Sequence, residues 1–314
     1  MKRNIKIAIA LAAILLVSLG VILGISNTQK QSEKLTIVTT NFPAYDFARA
    51  VAGDKAEIKM LLKPGAEMHD FEPTPSDIID IEKSNLFIYT GGESDEWVED
   101  ILEDTKVSNT LKMMDAVEVV EEEAVEGMEA EEEEEGEEPE YDEHVWTSPK
   151  NAKKIVNRVK DELIKVSPEN EEVFEQNAAD YSAELDELDN KFQAIVDNSK
   201  RKTIVFGDRF PLRYFADEYG LKYYAAFPGC SEQTEASSAT IAFLVDKVKS
   251  EKIPVVFKIE MSSGKVAQTI ADETDAKVLT FNAAHNISAD DFNAGVAYVD
   301  IMEQNLSVLE EALQ

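Results

Sequence analysis

The sequence predicts an α/β protein of two lobes joined by one long helix, and three observations carry that prediction. Short β-branched runs alternate with longer amphipathic stretches from residue 35 onward, and the same alternation restarts at residue 203. Between the two series no Gly or Pro occurs from Glu169 to Asn198. Across that stretch Phe174, Ala178, Tyr181, Leu185, Leu188, Phe192 and Ile195 recur at three- and four-residue steps, the period of a helix with one buried stripe. Strands alternating with helices imply a mostly parallel sheet flanked by helices. A helix of roughly 30 residues, on the order of 45 Å long, suits a rigid connector.

In the first series, 35–40 reads as a strand, 46–52 as a helix and 56–62 as a second strand, broken by Pro64-Gly65. Thr74-Pro75-Ser76-Asp77 opens a helix over 77–84. Leu86 to Thr90 is a strand apolar enough to be buried on both faces, and 96–104 is helical. Ser148-Pro149, an N-cap followed by Pro at the first helical position, starts a helix running to Val166. In the second series, strands are expected at 203–206, 223–227, 254–260 and 277–281. The helices between them are expected at 210–219, 237–251 and 265–274, with one closing helix over 290–313. The resulting domains are an N-terminal lobe at 35–166, a linker helix at 167–198 and a C-terminal lobe at 199–314.

Residues 117–143 break the pattern. Glu121 to Glu123, Glu131 to Glu135 and Glu137-Glu138 repel one another and offer little apolar surface to offset chain entropy, which predicts a disordered acidic loop. The loop reads either as a weak collector of cations or as a solvated spacer. The whole chain carries a formal charge of −32 over 314 residues, which argues against nucleic-acid binding. Residues 1–26 pair a basic start, Met1 to Lys6, with an almost unbroken apolar run to Ile25. That pattern reads as a secretory signal or an N-terminal membrane anchor, with the remainder outside the cytoplasm, at the cell surface or in the periplasm. The one cysteine, Cys230, excludes an intrachain disulfide and reads as a packed loop residue.

The three histidines, His69, His144 and His285, each fall in a loop between elements. Neutral imidazole is the commonest biological zinc ligand, so convergence of the three on one metal is a reading to weigh against three unrelated loop residues. Asp208, Glu260 and His285 follow predicted strand ends, where open parallel sheets collect their ligands.

Four segments together resemble a known family. They are Val38 to Pro43, Pro64 to Pro75, His144 to Ala152 and Tyr214 to Leu221. They look like the zinc- and manganese-binding proteins of bacterial ABC importers, over the chain from about residue 35 onward. The resemblance implies two Rossmann-like lobes, one long connecting helix and a metal site in the cleft between the lobes. It also implies His69 and His144 as ligands. The family's usual third-ligand position matches Arg209, which stays protonated and cannot bind a metal. His285 is the natural replacement, with Asp208, Glu260 or water in the fourth place. Three imidazoles and a carboxylate or water favour Zn2+ over Mn2+.

The expected function is therefore non-catalytic. A monomer, tethered to or associated with the membrane, captures zinc and passes it to an ABC permease driven by its ATPase. A metal-dependent hydrolase, with Glu67 or Glu143 as base, is one alternative. A surface adhesion protein stabilised by its metal is another.

Overall fold

The computed structural model describes residues 34–68, 71–129, 140–231 and 235–314. His69, the N-terminal segment 1–26 and the Glu-rich stretch 130–139 lie outside these residues. In the first half, β1 (Leu35–Thr39), α1 (Phe42–Ala52), β2 (Ala56–Met60), α2 (Pro75–Lys83), β3 (Leu86–Tyr89), α3 (Glu96–Asp104) and β4 (Thr110–Lys112) alternate as expected. Two helices follow, α4 (Pro149–Val166) and α5 (Glu171–Asp197). The second half comprises β5 (Thr203–Arg209), α6 (Arg213–Tyr219), β6 (Lys222–Phe227), α7 (Ser238–Glu251), β7 (Val255–Lys258), α8 (Lys265–Asp272), β8 (Lys277–Thr280), α9 (Ala289–Ala294) and α10 (Tyr298–Leu313).

Both sheets are parallel throughout and share one strand order, β2-β1-β3-β4 and β6-β5-β7-β8. In each, the chain runs one way from the first strand and then crosses back to its other side. That reversal opens a crevice at the carboxyl ends of the two central strands, where such sheets bind ligands. Thr40 and Asn41 stand at the first crevice. Asp208, Arg209 and Glu260 stand at the second.

The connector α5 has 27 residues, about 40 Å. Its buried stripe of Phe174, Ala178, Tyr181, Leu185, Leu188, Phe192 and Val196 matches the predicted spacing, with Val196 buried where Ile195 was expected. Residues 35–314 pack as a single compact unit, with one apolar core running continuously through both halves. Buried Asp46 shows how the halves lock. Its carboxylate accepts the backbone N–H of Tyr298 at 2.9 Å and the Tyr181 hydroxyl at 2.6 Å.

Two features differ from expectation. The single closing helix is two, because Gly295 caps α9 in the left-handed conformation at φ 77°. Strand β4, three residues long, is too short to show a period and was not anticipated. In the acidic loop, the described part, 117–129 and 140–143, forms a strap against the second half. Glu121 and Tyr141 form an antiparallel bridge, and Glu122 accepts the Cys230 N–H at 2.8 Å. Glu123 pairs with Arg213, and Glu126 with Lys247. Glu129 bonds through its N–H to Ala226 O at 3.0 Å on the edge strand β6, and its carboxylate accepts Ser237 N–H at 2.6 Å. Gly127, at φ 92°, lies so close to Phe243 that a Cβ would sit 2.1 Å from the ring. The carboxylates that repel one another along the chain thus find donors on the second half. Deleting 121–140 should therefore cost about 1–3 kcal/mol, lowering the melting temperature of the metal-free protein by several degrees. An unchanged melting temperature would show that the strap contributes nothing to folding.

The loop after β3 is organised by Asp95, whose carboxylate accepts Thr90 N–H at 2.6 Å, Gly91 N–H at 3.1 Å and the Thr40 hydroxyl at 3.3 Å. Burial nonetheless pushes this carboxyl up to about 6. The folded protein thus holds the proton more tightly than the unfolded chain. The resulting stability is complete below the ordinary Asp value, about 3.9, and is lost as pH rises through about 6. Asp95→Asn keeps the shape and removes the titration. Melting curves of its metal-free form should flatten between pH 4 and 6 relative to wild type, and parallel profiles would contradict this assignment.

Candidate metal centre

His144 is fixed by its own segment. Asp142, two residues earlier, accepts the His144 backbone N–H at 2.8 Å and meets its Nδ1 at 3.0 Å with the same oxygen, Oδ1. The Tyr214 hydroxyl holds the Asp142 carbonyl at 2.6 Å. A 3-10 turn over Val145–Thr147 follows, and the Thr147 hydroxyl donates to the His144 carbonyl at 2.8 Å. Ser148 then caps α4 with Pro149 at its first turn, as the sequence suggested. The imidazole is fully buried.

His285 is fixed in the same way by a carboxylate from another loop. Strands β7 and β8 pair in parallel, so the loops after them run side by side. Glu260 Oε1 accepts the His285 backbone N–H at 2.9 Å and meets Nδ1 at 3.1 Å, while Oε2 accepts the Ala283 N–H at 2.7 Å. Ala284 turns the chain at φ 58° to place the ring. The two imidazoles meet edge to face, with centroids 4.7 Å apart and planes at 81°. Trp146 lies against both rings and anchors the pair by donating Nε1–H to Ala283 O at 2.8 Å.

A carboxylate in its ionised form only accepts hydrogen bonds, so against it Nδ1 carries the hydrogen and Nε2 keeps its lone pair, the form that ligates metals. The electrostatics favour that form at His144. Burial, then the proximity of His285 and Arg209, holds its imidazole well below the ordinary histidine range. Glu260 is lowered despite its burial, chiefly by His285. Burial pushes Asp142 up to about 7, opposed by the His144 N–H and then by the proximity of His285.

His144 and His285, predicted from sequence, are thus brought together, while His69 is not among the described residues. Glu260 is in contact with His285, with both of its oxygens engaged as above. Asp208 accepts the N–H of Arg209 at 3.0 Å and of Ile259 at 3.4 Å and is raised by burial. Arg209 forms an ion pair at 3.0 Å with Glu67 rather than with Asp208. Glu143 bonds to the hydroxyl and N–H of Ser94, and burial pushes it up to about 8. Cys230 lies near by, its sulfur within 4.8 Å of ligand-type atoms of Glu143 and His144. Burial, and then the acids around it, push this thiol well up, which disfavours the thiolate. Sequence reasoning missed Asp142 and Trp146. The signal was the proximity of Asp142 to His144, two residues apart, the reach of an Asx turn.

Residues 37–312 match the sequence profile of the family described as ZnuA, zinc-uptake complex component A, periplasmic. The chain belongs to this family. It is 35% identical over 292 residues to the high-affinity zinc uptake system protein ZnuA of Bacillus subtilis, covering 91% of this chain and 90% of that protein. It is 33% identical over 288 residues to the zinc-binding lipoprotein AdcA of Streptococcus pneumoniae, covering 91% of this chain but only 57% of AdcA. The fold superimposes on the Zn(II)-bound ZnuA-like domain of AdcA from S. pneumoniae with a TM-score of 0.74 at 32% identity. That match covers 90% of this chain and 99% of the domain. Family membership accords with the paired imidazoles and makes zinc the ion against which the site is read.

Proposed function

We propose that this chain is an extracytoplasmic solute-binding protein that captures zinc and delivers it to an ABC permease and its ATPase. The observation that carries the reading is the pair of imidazoles 4.7 Å apart, each with Nδ1 against a carboxylate, in a chain of the zinc-uptake family. His144 and His285 ligate through Nε2. His69, next to the buried Met68, supplies the third imidazole, and water takes the fourth place of a tetrahedral site. Asp142 and Glu260 orient the rings, the common outer partners of metal-bound histidines. Glu260 therefore moves from candidate ligand to orienting group, and Asp208 leaves the ligand set, because both carboxylates are occupied by their own loops.

This reading is non-catalytic, and it places the chain outside the cytoplasm, held there by residues 1–26. Among the described residues no helix is long and apolar enough to cross a membrane. The test is metal titration of purified residues 35–314. The reading requires one zinc per chain, bound far more tightly than manganese. Failure to retain zinc, or tighter binding of manganese, would overturn it.

A further inference from the structure

The loop Leu62–Met68, which leads out of β2 toward His69, is held by the other half of the molecule at two points. Asn286, buried and next to His285, donates Nδ2–H bonds to Lys63 O at 2.8 Å and Ala66 O at 2.7 Å. Arg209, at the carboxyl end of β5, reaches Glu67 at 3.0 Å with its own side chain only 15% exposed. The ends of the loop are fixed by the first half: Leu62 and Met68 are buried in the core, and Leu62 N–H bonds to Thr40 O at 2.9 Å. Between them lie Pro64 and Gly65, a turn bond from Ala66 N–H to Lys63 O, a carbonyl that Asn286 also holds, and a bond from Met68 N–H to Glu67 Oε1 at 3.0 Å. The middle of the loop, Lys63 to Glu67, is therefore also held from across the crevice. His285 and Asn286 are consecutive, so a movement that withdraws the imidazole also withdraws the clamp.

We infer that Asn286 and the Glu67–Arg209 ion pair form a latch that holds the 62–68 loop over the metal site and sets how long the metal stays bound. The inference rests on the zinc-capture reading. It makes Asn286, Glu67 and Arg209 positioning residues, which act on release rather than on ligation. The three contributions can be separated by charge. Asn286→Ala changes no charge. Glu67→Gln breaks the ion pair and leaves Arg209 with its bond to Ser231 O. Arg209→Gln removes a positive charge beside a cation, which on Coulombic grounds alone would slow release. Faster release from Arg209→Gln therefore runs against the change in charge and comes from the lost contacts of its side chain.

The experiment is stopped-flow release of zinc from the loaded protein into excess chromophoric chelator, with association measured separately. Asn286→Ala, Glu67→Gln and Arg209→Gln should each release zinc roughly tenfold faster, with association changed much less, the usual partition of affinity changes. Arg209→Lys, which keeps the charge, should release more slowly than Arg209→Gln. If Asn286→Ala folds poorly, the isosteric Asn286→Asp, which cannot donate to the two carbonyls, replaces it. Wild-type release rates in the Asn286 and Glu67 variants would overturn the latch. If wild type itself retains no zinc, the capture reading fails instead. The latch is then judged by amide exchange over 62–68 in the metal-free protein, which should quicken in Asn286→Ala and would refute the latch if unchanged.

Discussion

His144→Ala should abolish tight zinc binding. The ring is one of the two described imidazoles at the site, and Asp142 with Trp146 holds it in a single orientation. Loss of an orienting partner alone typically costs 10–100-fold in metal affinity, so loss of the ligand should exceed about 100-fold. Asp142→Ala should fall within the lower range, because the ring stays but its Nδ1–H loses its acceptor. Both are read by competition titration against a chelator of known affinity. Folding should survive, since the segment keeps the Thr147 turn and the Ser148 cap. Near-wild-type affinity in His144→Ala, with the fold retained, would remove this residue from the site.

His285→Ala should cost a comparable amount and is the more informative change, because this ring reaches His144 from the other half of the molecule. Without the ring, the second half has no described imidazole to offer, and any zinc held by His69 and His144 would be loose. Glu260→Gln sharpens the test. The single Gln oxygen can replace only one of the two carboxylate oxygens, so its NH2 faces either the Ala283 N–H or the His285 N–H and Nδ1. In the first orientation the Ala283 bond is lost, and in the second the NH2 donates to Nδ1, which moves the ring hydrogen to Nε2 and blocks ligation. The expected loss for Glu260→Gln is about 10–100-fold. An affinity unchanged in both variants would show that His285 is a packed loop residue and not a ligand.

The parts of this molecule that could be read from the sequence are those encoded locally. The strand–helix alternation, the Ser148-Pro149 helix start and the apolar stripe of α5 all lie within short windows, and the structure has them where the spacing places them. The proximity of His285 to the carboxyl end of β8 was legible for the same reason. The role of Glu260 was not, because it depends on β7 pairing with β8 and so bringing two distant loops together. The strap over 117–129 was missed for a related reason. Its carboxylates look mutually repulsive along the chain, and their partners, Arg213, Cys230, Ser237 and Lys247, lie far downstream. Gly295, by contrast, is a local helix stop within the expected 290–313 helix.

The most direct test of the central claim is anomalous diffraction at the zinc edge from crystals of the zinc-loaded protein. The claim predicts one strong peak, about 2.0–2.1 Å from Nε2 of both His144 and His285, with each Nδ1 still against Asp142 or Glu260. A peak bonded to only one of these rings, or coordinated by carboxylates away from them, would contradict it.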